Sequence, residues 1–287
     1  MLINKNEPLN EEKYGEYSVI KKLYKTKNGE LLLVSKNDNA HKLFTLNKIE
    51  IKNEKIKNDI ESELNALKQV DSKYIIKINE YFIEKKEEKS FFCLILDYYE
   101  NNLSKLIYES NFINSKITWK FFIQIIIQLD NLNLNKLLPN YLFPENIYID
   151  EENNIKIGGI GITLDISNKN RSEMDILSYC SPEIIKGEEN YEKNIIWSAG
   201  CILYELAFKK RAFMDKNYKT LEHSILQIKY ELPDDSEKEL ILIINKLLSE
   251  KKKRPSIKEL ILDGNFKNKI IEINLFSQIL NTNLKGK

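Results

Sequence analysis

The stretch LPNYLFPENIYIDEENNIKIGGIG, Leu138 to Gly161, decides how the whole chain is read. It opens on Phe143-Pro144-Glu145-Asn146 and runs through the apolar triplet Ile147-Tyr148-Ile149. It then crosses a polar turn, Asp150 to Asn154, and returns through Ile155 and Ile157 to Gly158-Gly159-Ile160-Gly161. Apolar residues alternating on both sides of an acidic, Asn-rich turn predict a β-hairpin.

Around this hairpin the 287 residues are enough for one large domain or two lobes with substantial cores. An apolar content of 42% with 30% charged residues is that of a soluble globular protein. The formal net charge of +1 supplies no global field for nucleic acid or an acidic membrane. Short runs such as Lys251-Lys252-Lys253, interleaved with Glu, read as a solvated face. Cys93, Cys180 and Cys201 lie far apart without C-x-x-C spacing, which fits a reducing compartment and argues against a disulfide framework or a zinc site. With His41 and His223 the only histidines, a His-rich metal centre is excluded. The first ten residues, MLINKNEPLN, lack the apolar core of a signal peptide. The longest apolar run, Phe121 to Leu129, is too short to span a bilayer and is interrupted by Gln. These features predict a buried helix over that run, in a cytoplasmic or nuclear protein.

Along the chain, residues 1–16 are polar and read as a flexible leader. From Tyr17 three strands follow, separated by turns at Lys27-Asn28-Gly29 and Lys36 to Asn39. Ile56, Ile60, Leu64 and Leu67 recur at helical spacing and predict a helix over Asn53 to Val70. Two strands, Ile75–Ile83 and Phe91–Asp97, flank the charged turn EKKEEK, and from Leu103 onward the pattern is helical. In residues 263–287, Ile270, Ile273, Phe276 and Leu280 recur at 3, 3 and 4, with Ile271, Leu275 and Ile279 alongside. That spacing predicts a helix packing on the large lobe, a partner-binding helix being the alternative.

These segments, taken in order, resemble a protein kinase from about Tyr17 to Leu262. The central hairpin is similar to H-R-D-x-K-P-E-N followed by K-I-x-D-F-G. Tyr179-Cys180-Ser181-Pro182-Glu183 resembles Y-x-A-P-E, Trp197 and Gly200 resemble D-x-W-x-x-G, and Arg254-Pro255-Ser256 resembles R-P-S. The wording YCSPEI and GCILYEL is most similar to the NEK Ser/Thr kinases. The resemblance implies an α+β bilobal fold with a small β-rich N-lobe carrying one helix (17–97), a hinge (97–102) and a mostly helical C-lobe (103–262).

The same motifs show which chemical groups differ. Asn47 stands at the phosphate-anchoring Lys, Tyr141 at the catalytic Asp, Phe143 at the phosphate-contacting Lys and Gly159 at the metal-binding Asp. Pro139 and Asn140 replace the His and Arg of the catalytic loop, Ile195 the Asp of the central helix, and Ile176 the Thr before the S-P-E segment. Of three loop glycines only Gly29 remains, with Tyr24 and Thr26 at the others; Gly29 also reads simply as a hairpin-turn glycine. The residual pocket positions are Gly29, Glu63, Leu96 and Asn146, and the structural positions Glu183, Arg254, Trp197 and Gly200. A drift toward Lys, Asn and Ile, as in AT-rich coding, accounts for Asn140 but not for Gly159. Glu63, without its Lys partner, is expected to turn outward or to pair with another cation. Lys48 is expected to point away from Thr45 and Asn47, because side chains alternate faces along a strand. Asp150 is expected to lie away from the pocket, and Asp165 is the best stand-in for a metal ligand.

A kinase frame with these groups replaced implies an inactive kinase homologue, a scaffold or allosteric partner in signalling, with no catalytic residue and no metal. ATP and Mg²⁺ are possible but disfavoured. A protein partner, an active kinase or another signalling protein, is expected; nucleic acid and membrane are not. The alternative is an atypical Ser/Thr kinase, or a nucleotide-binding protein, that uses displaced residues.

Overall fold

A computed structural model describes residues 12–25, 29–37, 39–70, 75–139, 142–158, 172–188, 191–234 and 236–273. The chain divides into two compact units, Met1–Glu100 with Gly158–Asn170, and Asn101–Ile157 with Arg171–Lys287.

The first unit is a six-stranded antiparallel sheet with one helix. Its elements are β1 (Lys13–Tyr14), β2 (Tyr17–Lys25), β3 (Gly29–Lys36), β4 (Asn39–Glu50), α1 (Glu54–Leu67), β5 (Ile78–Lys86) and β6 (Lys89–Asp97). The spatial strand order is β1-β2-β3-β4-β6-β5. Asn53 caps α1 by accepting the Ile56 N–H at 2.9 Å, and the predicted stripe supplies the buried Ile60, Leu64 and Leu67. Period-two alternation splits the sheet into two apolar faces. Leu32, Val34, Phe44, Leu46, Cys93 and Ile95 pack under Tyr14 and Tyr17. Leu31, Leu33, Thr45, Asn47, Leu94 and Leu96 are buried at the alternate positions.

Tyr14 and its strand correct the expected leader, which cannot extend to residue 16. Lys13 and Tyr14 pair with Ser18 and Tyr17, and Tyr14 is 1% exposed. One tyrosine in a polar stretch gives no periodicity; it is ordered because the sheet face beneath is apolar. Its hydroxyl also donates to Glu12 at 2.7 Å and accepts from the Lys48 ammonium at 2.9 Å.

Gly29 begins β3 opposite Ile49, and Lys27 and Asn28 lie outside the described residues. A Cβ on Gly29 would stand 1.7 Å from the Lys48 carbonyl oxygen. Its role here is close strand approach. Gly29→Ala must therefore push β3 from β4, and an unfolding midpoint lower by at least about 2 °C, the equivalent of about 1 kcal/mol in a domain of this size, is expected in a thermal melt. An unchanged midpoint would show that the strands separate without cost.

The second unit is mostly helical. β7 (Asn101–Asn102), α2 (Leu103–Glu109) and α3 (Ser115–Leu134) precede a 3₁₀ turn, Pro144–Asn146, and the hairpin β8 (Ile147–Ile149) and β9 (Ile155–Ile157). Then come α4 (Glu173–Leu177), α5 (Pro182–Ile185), α6 (Tyr191–Phe208), α7 (Tyr218–Leu226), α8 (Lys238–Leu247), α9 (Ile257–Leu262) and a helix over 264–273. In the hairpin Ile147 faces Ile157 and Ile149 faces Ile155. The Asp150 carboxylate closes its turn by accepting the N–H groups of Glu152 and Asn154 at 3.0 and 2.8 Å. α3 carries the predicted apolar run, with Phe121, Phe122, Ile123, Ile125, Ile126 and Leu129 buried. Among the described residues no helix is long and apolar enough to cross a membrane.

The helix over 264–273 packs on its own unit. Phe266 is fully buried and meets Phe122 edge-on at 5.7 Å. Lys269 lies 3.3, 3.1 and 3.1 Å from Glu237, Glu239 and Glu272 and sits over the Trp119 ring. Leu275, Phe276, Ile279 and Leu280, the second half of the predicted tail helix, lie outside the described residues.

Candidate functional site

In the first unit β4 presents Thr45 and Asn47 on one sheet face, 6% and 1% exposed. Lys48 points to the other, where it pairs with Glu30 at 2.9 Å and lies over the rings of Tyr14 and Phe91. Strand alternation thus leaves the face that carries position 47 with an amide and takes the neighbouring ammonium to the far side of the sheet. Leu96 pairs with Thr45 and is fully buried. Glu63 is half-buried on α1 and is not a bare carboxylate. Thr26 and the side chain of Tyr24 lie outside the described residues.

In the second unit the turn before the hairpin is lined by aromatic rings. Phe143 is 2% exposed and meets the Tyr179 ring edge-on at 5.4 Å. The Tyr179 hydroxyl donates to Glu205 at 2.5 Å, and the Tyr108 hydroxyl donates to the other Glu205 oxygen. Burial raises the Glu205 pKa above the usual carboxylate range, against the two phenol donors that lower it. Arg211 lies over the Tyr179 ring at 5.7 Å and donates to Asp175 at 2.6 Å. Asp175 also closes a capping box with Ser172 at the start of α4. Tyr108, Glu205 and Arg211 escaped the sequence reading. Residues 108, 179, 205 and 211 share no local spacing, and only the packing of α2, α6 and the segment before α5 unites them.

Asn146 is 2% exposed, and its side-chain nitrogen has no hydrogen-bond partner among the described residues. Asn140, Tyr141, Gly159 and Asp165 lie outside the described residues. Among the described residues no group of three or more His, Cys, Asp or Glu is placed to hold a metal ion.

The structural positions converge below α5. Arg254 donates to both oxygens of Glu183, the second at 3.3 Å, and to the carbonyls of Lys193 and Ser249 at 2.8 and 2.7 Å. The guanidinium lies 4.8 Å from the Trp197 ring centroid, and Trp197 stacks on Phe213 at 5.2 Å. Gly200 lets α6 approach α8, since a Cβ there would meet the Leu247 Cβ at 2.8 Å. Ile195 is fully buried on α6.

A β-rich unit with one helix, a helical unit carrying a P-E-N turn and hairpin, and a buried Glu–Arg pair under an S-P-E helix define the protein-kinase class of fold. Residues 15–264 match the protein kinase domain. The chain belongs to the protein kinase family. It is 28% identical over 245 residues to the serine/threonine-protein kinase nekl-2 of Caenorhabditis elegans, covering 79% of this chain and 68% of that protein. It is 27% identical over 239 residues to the probable serine/threonine-protein kinase nek2 of Dictyostelium discoideum, covering 78% and 57%. It is 30% identical over 211 residues to the serine/threonine-protein kinase Nek8 of Danio rerio, covering 70% and 29%. The chain thus spans between 29% and 68% of the length of these relatives.

Proposed function

We propose that this chain is a catalytically inactive kinase homologue that acts as a scaffold or allosteric partner of a signalling protein, in the cytoplasm or nucleus. One observation carries the reading: Phe143, at the position of a phosphate-contacting Lys, is buried against Tyr179. Phosphoryl transfer rests on positioning and charge, and a buried aromatic edge supplies neither. Asn47 supports the same reading, since an amide supplies no cation for a triphosphate. The residues do not fit a magnesium nucleotide. A hard divalent cation takes oxygen ligands, and Gly159 brings no side chain to partner Asn146. The similarity to proteins named as Ser/Thr kinases favours a second reading, an active kinase or nucleotide binder with displaced groups.

Thermal unfolding with and without millimolar ATP, each in Mg²⁺, Mn²⁺ and EDTA, separates the two. A ligand that binds only the folded chain raises the midpoint by mass action, about 2.7 kcal/mol at a hundredfold excess over Kd. No metal-dependent shift is expected, and a phosphotransfer assay should show no turnover. A shift that requires metal, together with turnover, would overturn the inactive reading.

A further inference from the structure

A pocket of about 390 Å³ in the second unit lies away from the hairpin. Its walls are the start of α6, the end of α8, the 252–255 turn and α9. Its charged lining is Lys193, Lys246, Lys252, Lys253 and Arg254 against two carboxylates, Glu259 and Asp263.

Both carboxylates are committed. Glu259 accepts the Ser256 N–H at 2.7 Å, and that bond holds its carboxyl below the usual range. Asp263 accepts from Lys246 at 2.5 Å, which lowers it likewise. Each stays ionised and offsets one ammonium, and Glu183 balances the Arg254 guanidinium, so two positive charges remain in excess. Lys193 donates to the Arg254 carbonyl and lies 4.0 Å from the Glu259 carboxylate. Lys253 reaches Glu250 at 3.2 Å, but both are about 70% exposed, where an ion pair contributes little. Lys252 is exposed and has no ion pair among the described residues. Arg254 is 1% exposed, and its Nε has no hydrogen-bond partner among the described residues. The floor is fixed by the buried Arg254–Glu183 pair, so the walls do not depend on mobile side chains alone.

We infer that this pocket binds a phosphate group, in the form of a phosphorylated Ser or Thr side chain on a partner protein. A phosphomonoester carries nearly two negative charges and several acceptor oxygens, which several point-like ammonium donors can share. The volume falls in the range of small-ligand pockets, about 300–1,000 Å³, and leaves space beyond a bare phosphate for the residue that bears it. The inference does not depend on whether the chain transfers phosphate.

The test uses the full chain in phosphate-free buffer with three labelled hexapeptides, identical except for phosphoserine, serine or glutamate at the third position. Fluorescence anisotropy should show binding of the phosphoserine peptide, no binding of the serine peptide, and competition by inorganic phosphate. The exposed pair Lys252→Glu and Lys253→Glu should weaken binding by about tenfold or more, the scale of hydrogen bonds to a charged group. A control with the same charge change, Lys55→Glu and Lys85→Glu in the first unit, should keep it. Binding of inorganic phosphate alone, lost in the pocket variant, would retain the phosphate site and reassign its source to the free ion. Equal weakening in the control, equal affinity for the glutamate peptide, or no binding of either probe would overturn the proposal. Because ATP carries the same chemistry, the pocket variant also belongs in the ATP melts: a metal-independent shift that it abolishes reports this pocket.

Discussion

Replacing Arg254 with alanine is expected to lower the unfolding free energy by about 3–5 kcal/mol, because it strands a buried carboxylate. Neither side chain has water to fall back on: the side chain of Arg254 is 0% and that of Glu183 4% exposed. The substitution also leaves the Lys193 and Ser249 carbonyls without a donor and uncovers the Trp197 face. Arg254→Lys keeps the charge but loses the planar fork that reaches two carboxylate oxygens and two carbonyls, so it should recover only part of the loss. The double variant Glu183→Leu with Arg254→Met should be less destabilised than the two single changes added together, since an apolar pair of similar volume can replace a buried ion pair. Urea unfolding followed by Trp fluorescence measures all of these variants. A loss below about 1 kcal/mol for Arg254→Ala would mean that the pair contributes almost nothing net.

A lysine at position 143, the residue that the kinase resemblance implies there, gives the second large effect. Phe143→Lys would place an ammonium where an aromatic ring is 2% exposed and packed on Tyr179. Burial of this kind depresses a lysine pKa by up to about 3–5 units, equivalent to about 4–7 kcal/mol. Of the acids that act on Tyr179, Glu205 is already held by two phenols. The sign with pH comes from the depressed folded-state pKa. Between that value and the unfolded value of about 10.4 the unfolded chain binds more protons, so the variant gains stability as pH rises. Phe143→Leu, a smaller apolar change, should cost far less and stay flat with pH. No phosphotransfer is expected from Phe143→Lys, because Asn47 is unchanged. A variant as stable as the parent that gained turnover would refute both the packing argument and the inactive reading.

These two sites show how much of the molecule could be read from its residues. The fold was legible because its signals are local: Ile147 to Ile157 alternate about a turn, Ile56 to Leu67 repeat at helical spacing, and P-E-N, S-P-E and R-P-S keep their order. Asn47 and Phe143 were singled out on the same local basis, as each occupies a fixed place in a short motif. That Lys48 faces away from Asn47 also followed from strand alternation alone.

Other features needed the tertiary structure. β1 forms because an apolar sheet face lies beneath Tyr14, and nothing in the sequence near Tyr14 specifies that face. The contact of Phe143 with Tyr179, the enclosure of Glu205 by Tyr108 and Tyr179, and the Arg211–Asp175 pair join residues far apart in the chain. Gly29 looked like a turn residue; only strand packing shows that its hydrogen stands where a methyl would strike the Lys48 carbonyl. The Lys252–Lys253 run read as a solvated face, and the chain's path brings Lys193, Lys246 and Arg254 to the same pocket. Sequence determines local geometry and the identity of the charges. Whether a side chain is buried, and which distant partner it meets, is set by packing between elements, which no short-range pattern encodes.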